Sequence, residues 1–105
     1  RLRFAFIEVV EGATGGPRDF APFDFAALRR LWPGAWIVNN GYTRELALET
    51  IAGGRADAVS FGKPFIANPD LVRRLREDRA LAVPNQKTFY GGGAEGYTDY
   101  PALAD

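Results

Sequence analysis

AWIVNNGYTRELALETIAGG, residues 35–54, contains a complete strand–turn–helix unit. Ala35 to Val38 is a short apolar strand that runs into the turn Asn39-Asn40-Gly41. Thr43 then supplies an N-cap, and Leu46, Ala47, Thr50 and Ile51 recur on one face of a helix that Gly53-Gly54 ends. The same plan repeats on either side. Upstream, Phe4 to Val10 is an aromatic and β-branched run with little alternation, which reads as a strand buried on both faces. It closes on Glu8-Val9-Val10-Glu11-Gly12, and a Gly- and Pro-containing stretch follows from Gly12 to Pro22. Asp24 then caps a helix over Phe25 to Trp32, with Phe25, Leu28, Leu31 and Trp32 on one side and Pro33-Gly34 as the stop. Downstream, Ala58 to Phe61 is a third strand, and Gly62-Lys63-Pro64 follows it. Asn68-Pro69-Asp70 then offers an N-cap, a proline at the first helical position and a first-turn acid for a helix over Leu71 to Arg76. The order βαβαβα predicts an α/β fold whose strands pair in parallel through right-handed crossovers, with the loops after the strands gathered at one end of the sheet.

The composition suits a single soluble domain: 105 residues, 47% hydrophobic and 25% charged. Thirteen basic residues balance thirteen acidic ones, which removes the electrostatic footprint expected for nucleic acid or an anionic membrane. The longest apolar runs, Phe4-Ala5-Phe6-Ile7 and Ala35-Trp36-Ile37-Val38, fall far short of the roughly 18 residues of a membrane span. The expected location is cytoplasmic. There is no cysteine and no histidine, so disulfides, thiolate nucleophiles, the commonest zinc ligands and the commonest general base are all missing, and no metal site is expected. Methionine is absent too, and a strand is already under way in Arg1-Leu2-Arg3-Phe4, so the expectation is a piece of something longer.

Two stretches could carry chemistry. Backbone N–H groups at the carboxyl ends of parallel strands and at the helix starts beyond them favour an anion. The loops Asn39-Asn40-Gly41 and Phe61-Gly62-Lys63 therefore make a candidate phosphate site, with Gly41 and Gly62 permitting close approach and Lys63 adding a point charge. By spacing alone the ordinary alternative stands beside it, because Asn-Gly is a common turn and a lysine after a strand is usually a solvated charge. The second stretch is the tail from Thr88 to Pro101, in which glycines alternate with Tyr90, Tyr97 and Tyr100; it is either a set of rings for a flat ligand or an arm packed on the core. From Ala80 to Asp105 no further βα unit is expected. Arg73-Arg74-Leu75-Arg76-Glu77-Asp78-Arg79 reads as the solvated face of a helix. Glu8 and Glu11 lie near a strand end without an identifiable partner base.

Residues 54–72, GRADAVSFGKPFIANPDLV, followed by the tail from Thr88 to Pro101, closely resemble the C-terminal end of the Old Yellow Enzyme family of FMN-dependent NAD(P)H:flavin oxidoreductases and ene-reductases. Phe4 to Glu11 is similar to that family's sixth barrel strand and Asn39-Asn40-Gly41-Tyr42 to the loop after its seventh, so the resemblance spans essentially the whole chain. It implies a partial TIM barrel, with the last three βα units in residues 1–79 and a Gly- and Tyr-rich tail in 80–105. Three of eight units of a roughly 250-residue barrel come to about 94 residues, and such barrels often hold phosphate in the loops after strands seven and eight.

The resemblance further implies that FMN is the cofactor and NAD(P)H the reductant. Backbone groups around Asn40, Gly41, Gly62 and Lys63 would then hold the FMN phosphate, with Tyr90 near the flavin and the substrate pocket. Relatives usually carry arginine where this chain has Lys63, so a bidentate fork becomes a single ammonium. They are also often richer in glycine around Asn39-Asn40-Gly41. The family's substrate-anchoring His-His or His-Asn pair and its proton-donating tyrosine would belong to the five units that precede these three, so no catalytic residue is assigned in this chain. The expected partners are a small-molecule substrate and either the remainder of the barrel or a complementary chain, with self-association of the isolated piece. The rival reading is a non-catalytic α/β module that binds a phosphate ligand or a protein.

Overall fold

The computed structural model describes residues 3–19 and 23–105. Its elements, in chain order, are β1 (Phe6–Val10), α1 (Phe25–Arg30), β2 (Ala35–Asn39), α2 (Arg44–Ala52), β3 (Ala58–Val59), α3 (Lys63–Ala67) and α4 (Leu71–Glu77), with a 3-10 turn at Gln86–Thr88. The chain divides into two compact units, Arg1–Ser60 and Phe61–Asp105.

The first unit is α/β. Its sheet has the order β1-β2-β3 and both pairings are parallel, with Phe6 opposite Ala35, Val10 opposite Asn39, and Ile37 opposite Ala58. Strand alternation and this register put Ile7, Val9, Trp36, Val38 and Val59 on one face. Trp36 and Val38 are the buried centre of that face, and they share a cleft with residues of α1 and α2. Both helices start on a side-chain cap, as expected. Asp24 Oδ1 accepts from the Ala27 N–H at 2.9 Å, and Thr43 Oγ1 from the Leu46 N–H at 3.2 Å. Gly53 ends α2, and Gly54 turns the chain away at φ +72°.

Several boundaries and faces differ from the sequence expectation. β1 begins at Phe6 rather than Phe4, and the other face of the sheet exposes Phe6, Glu8 and Val10 instead of burying them. A parallel strand is dry on both sides only where layers cover both faces, and in this chain β1 is also an edge. α1 stops at Arg30, before Leu31 and Trp32 can extend its apolar side, so Leu31 is 82% exposed. The Trp32 indole N–H instead donates to the Ala35 carbonyl at 2.9 Å. β3 is two residues long rather than four; beyond it the Asn39 amide bonds Ser60 O and Oγ at 2.9 and 2.8 Å in place of further ladder. Of the loop expected over residues 12–22, positions 20–22 lie outside the described residues, as do Arg1 and Leu2 of the expected strand start.

The second unit opens with an element that local sequence does not announce. Gly62-Lys63-Pro64 starts the short helix α3, with Pro64 in its first turn, where a missing N–H costs nothing. Asn68, expected to cap α4, has another role. The residue before α4 is Asp70, and the fully buried Asn68 amide donates to Pro64 O at 2.7 Å and Ala82 O at 3.1 Å while accepting from the Ala82 N–H at 2.8 Å. Arg74 also leaves the solvated face assigned to its cluster. It is buried, with its Nε on Asp70 at 2.8 Å and its remaining nitrogens on the carbonyls of Ala80 and Pro101. As expected, the tail contains no further βα unit.

Candidate functional site

The turn after β2 has two consecutive residues at positive φ, Asn40 at +90° and Gly41 at +70°. Asparagine tolerates that region better than other side-chain-bearing residues, and here its own amide compensates. Asn40 Nδ2 donates to the carbonyls of Glu11, Ala13 at 3.0 Å and Gly16 at 3.2 Å, drawing the loop after β1 against the end of β2. The Asn40 carbonyl accepts from Arg18 Nη1 at 2.8 Å. No described residue accepts from the N–H groups of Asn40 or Gly41. Backbone donors of this kind at the carboxyl end of a parallel strand are groups that can bind an anion.

Behind the turn is a cluster that spacing did not reveal. Arg18 lies over the Tyr42 ring, 4.4 Å from its centroid, and reaches Glu11 Oε1 at 3.3 Å, while the Tyr42 hydroxyl donates to the same Glu11 oxygen. Burial, followed by the bond to Glu11, raises the Tyr42 phenol above its ordinary value. Tyr42 is buried, and the arginine side chain packs directly on Gly41, where an added Cβ would stand 3.1 Å from Arg18 Cδ. Glu11, left unassigned by the sequence, is thus the acceptor that joins a phenol and a guanidinium. The only local hint is a tyrosine directly after Asn-Gly; Arg18 comes to the cluster from a loop with no periodic signal.

Gly62 and Lys63 belong to the second unit, at the start of α3. Gly62 has φ −103°, a value open to any residue, and a Cβ placed there would meet nothing within 4 Å. Its backbone is thus uncovered on the side where a Cβ would stand. By chemical type each unit offers groups that can bind a phosphate: two turn amides in the first, and an uncovered glycine backbone and an ammonium in the second. Tyr90 is 93% exposed, its ring set edge-on to Phe89 with centroids 6.5 Å apart. Among the described residues no group of acids could hold a metal, and no helix is long and apolar enough to cross a membrane.

Comparison with known proteins gives these features a context. A model of the NADH:flavin oxidoreductase / NADH oxidase family matches residues 2–82. 12-Oxophytodienoate reductase 7 of Oryza sativa subsp. japonica is 49% identical over 77 residues, 72% of this chain and 20% of its own length. 12-Oxophytodienoate reductase 2 of Arabidopsis thaliana is 44% identical over 77 residues, 72% of this chain and 21% of its own length. Among solved structures, a variant of NCR from Zymomonas mobilis matches 94% of the chain with a TM-score of 0.82 and 40% identity, over 33% of its own length. Morphinone reductase in complex with tetrahydroNAD matches 95% of the chain with a TM-score of 0.82 and 40% identity, over 26% of its own length. The chain thus spans about a fifth to a third of the proteins it matches.

Proposed function

Because this chain belongs to the NADH:flavin oxidoreductase / NADH oxidase family, we propose that it forms the C-terminal part of an FMN-dependent, Old Yellow Enzyme-type oxidoreductase and supplies the groups that hold the FMN phosphate. In this reading residues 1–79 are the last three βα units of a TIM barrel and residues 80–105 its Gly- and Tyr-rich tail. The whole protein reduces activated alkenes at the expense of NAD(P)H, in keeping with relatives named for reduction of 12-oxophytodienoate and morphinone.

When bound, FMN supplies the hydride chemistry. This chain's residues bind and orient. The N–H groups of Asn40 and Gly41 donate to phosphate oxygens, the open backbone at Gly62 gives those oxygens room, and Lys63 adds a compact positive charge. Tyr90 carries a phenol on an exposed arm, directly before three glycines, that is suited to the wall of a substrate pocket. A sequence without histidine offers no counterpart of the family's substrate-anchoring pair, so that function falls to the rest of the protein. The observation that carries the proposal is the turn after β2, where two adjacent donors lack an acceptor among the described residues.

The test is calorimetric titration of FMN into the whole apoprotein and its Lys63→Ala variant. The variant should lose about 1.5–3 kcal/mol of FMN affinity, the range for a charge-assisted contact, while riboflavin, which lacks the phosphate, binds both proteins alike. Unchanged FMN affinity would remove Lys63 from the phosphate site.

A further inference from the structure

The phosphate reading makes the direction of the Gly41 N–H decisive, and the structure shows what sets it. In a trans peptide the carbonyl of one residue and the N–H of the next share a plane and point in opposite directions. The Asn40 carbonyl is held by Arg18 Nη1 at 2.8 Å. Whatever holds that oxygen also aims the Gly41 N–H away from it. Arg18 has little freedom of its own: the Tyr42 ring supports its guanidinium, Glu11 receives the same nitrogen, and Glu11 is held in turn by the Tyr42 hydroxyl. The two hydrogens of the Asn40 amide, shared among three loop carbonyls, fix the other end of the same residue.

We propose that Arg18, seated on Tyr42 and Glu11, is a positioning residue that aims the Gly41 N–H at the FMN phosphate by gripping the Asn40 carbonyl behind it. This rests on the phosphate reading above and adds the device that pre-organises it. The arginine acts through the peptide, from the side opposite the N–H, and not as a phosphate ligand. A preset donor is worth more than a mobile one because no ordering cost falls at the moment of binding. The positive φ at Asn40 and Gly41 is a state that the free chain would leave; the grip of Arg18 on the carbonyl and the close packing of its side chain on Gly41 keep the turn there.

The experiment uses the whole flavoprotein, stripped of flavin, and compares the dissociation constants of FMN and riboflavin for wild type, Arg18→Ala, Tyr42→Phe and Lys63→Ala. Arg18→Ala should weaken FMN tenfold or more and riboflavin less than twofold, and the loss should persist at about 0.5 M salt, where a simple charge effect is screened. Tyr42→Phe keeps the ring and removes only the bond to Glu11. It should show the same phosphate-selective loss to a smaller degree, and it serves in place of Arg18→Ala if that variant does not fold. Equal losses for both flavins, no loss for either, or a loss that disappears in salt would overturn the positioning role. Lys63→Ala separates the two proposals: if it erases the preference for FMN while Arg18→Ala does not, the positioning role alone is wrong, and if neither alters the preference, the phosphate reading is wrong.

Discussion

Asn68 has no solvent exposure, and every hydrogen-bonding partner it has is a main-chain group, two of them on Ala82. A truncated side chain would leave the Ala82 N–H and carbonyl and the Pro64 carbonyl with lost bonds in a partly buried place, where a fully buried group so stranded would cost about 1–3 kcal/mol. Asn68→Ala should therefore destabilise the protein by at least about 2 kcal/mol in urea denaturation, and a change under about 0.5 kcal/mol would show that the bonds contribute little. Asn-Pro-Asp carries the local chemistry of an N-cap, and the sequence predicts one at this residue. Local chemistry could not show that Ala82, fourteen residues on, would compete for the same amide. The cluster around Gly41 was illegible for the same reason, since Glu11, Arg18 and Tyr42 meet only after β1 and β2 have paired. Gly41 itself was legible, because an Asn-Gly pair after a strand carries its conformational need within two residues.

At the scale of elements, α4 and the tail behave as one structure. The Asp70 carboxylate accepts from the Leu103 N–H at 2.8 Å and from Arg74 Nε at 2.8 Å, and Arg74 continues to the carbonyls of Ala80 and Pro101. The Leu103 N–H first, and then Arg74, hold the Asp70 carboxyl below its ordinary range. A carboxyl with a folded value below its unfolded one stabilises the fold at pH above the unfolded value, about 3.9, and loses that contribution as pH falls through the folded value. An NMR titration should find Asp70 ionising below the free-aspartate range, with the Leu103 amide following the same curve and Asp70→Asn abolishing it. A midpoint at the ordinary value would show that the tail is not held by this carboxylate. Helix starts were the most legible elements, since Asp24 and Thr43 cap through atoms three residues away. α3 was missed because Gly-Lys-Pro reads as a break, although a proline in a first turn is compatible with helix. The exposed reading of the arginine run failed at one position, Arg74, where carbonyls distant in sequence supply the bonds that water would otherwise provide.

At the scale of the whole molecule, the parallel α/β plan was visible because each strand and helix announces itself within a few residues, whereas the cover over each face depends on neighbours that no local pattern specifies. Phe6 and Val10 stay exposed on one sheet face, and β1 and β3 are both edges. Unpaired parallel edges beside exposed apolar side chains favour association. The isolated 105-residue chain should therefore elute with a concentration-dependent size in gel filtration coupled to light scattering, and addition of the barrel units proposed to precede it should suppress this. A single monomeric mass at all concentrations would show that the open sheet tolerates water. The sheet's register has a thermodynamic consequence as well. Phe6 pairs with Ala35 and Ile37 with Ala58, so the two closing loops differ in length by less than a doubling and in closure entropy by less than about 0.6 kcal/mol. The two ladders repay that similar entropy unequally, five paired residues joining β1 to β2 and only two joining β2 to β3. The second join is the shorter seam, and hydrogen exchange should find the sheet opening first at β3, three residues before the glycine proposed to make room for the phosphate.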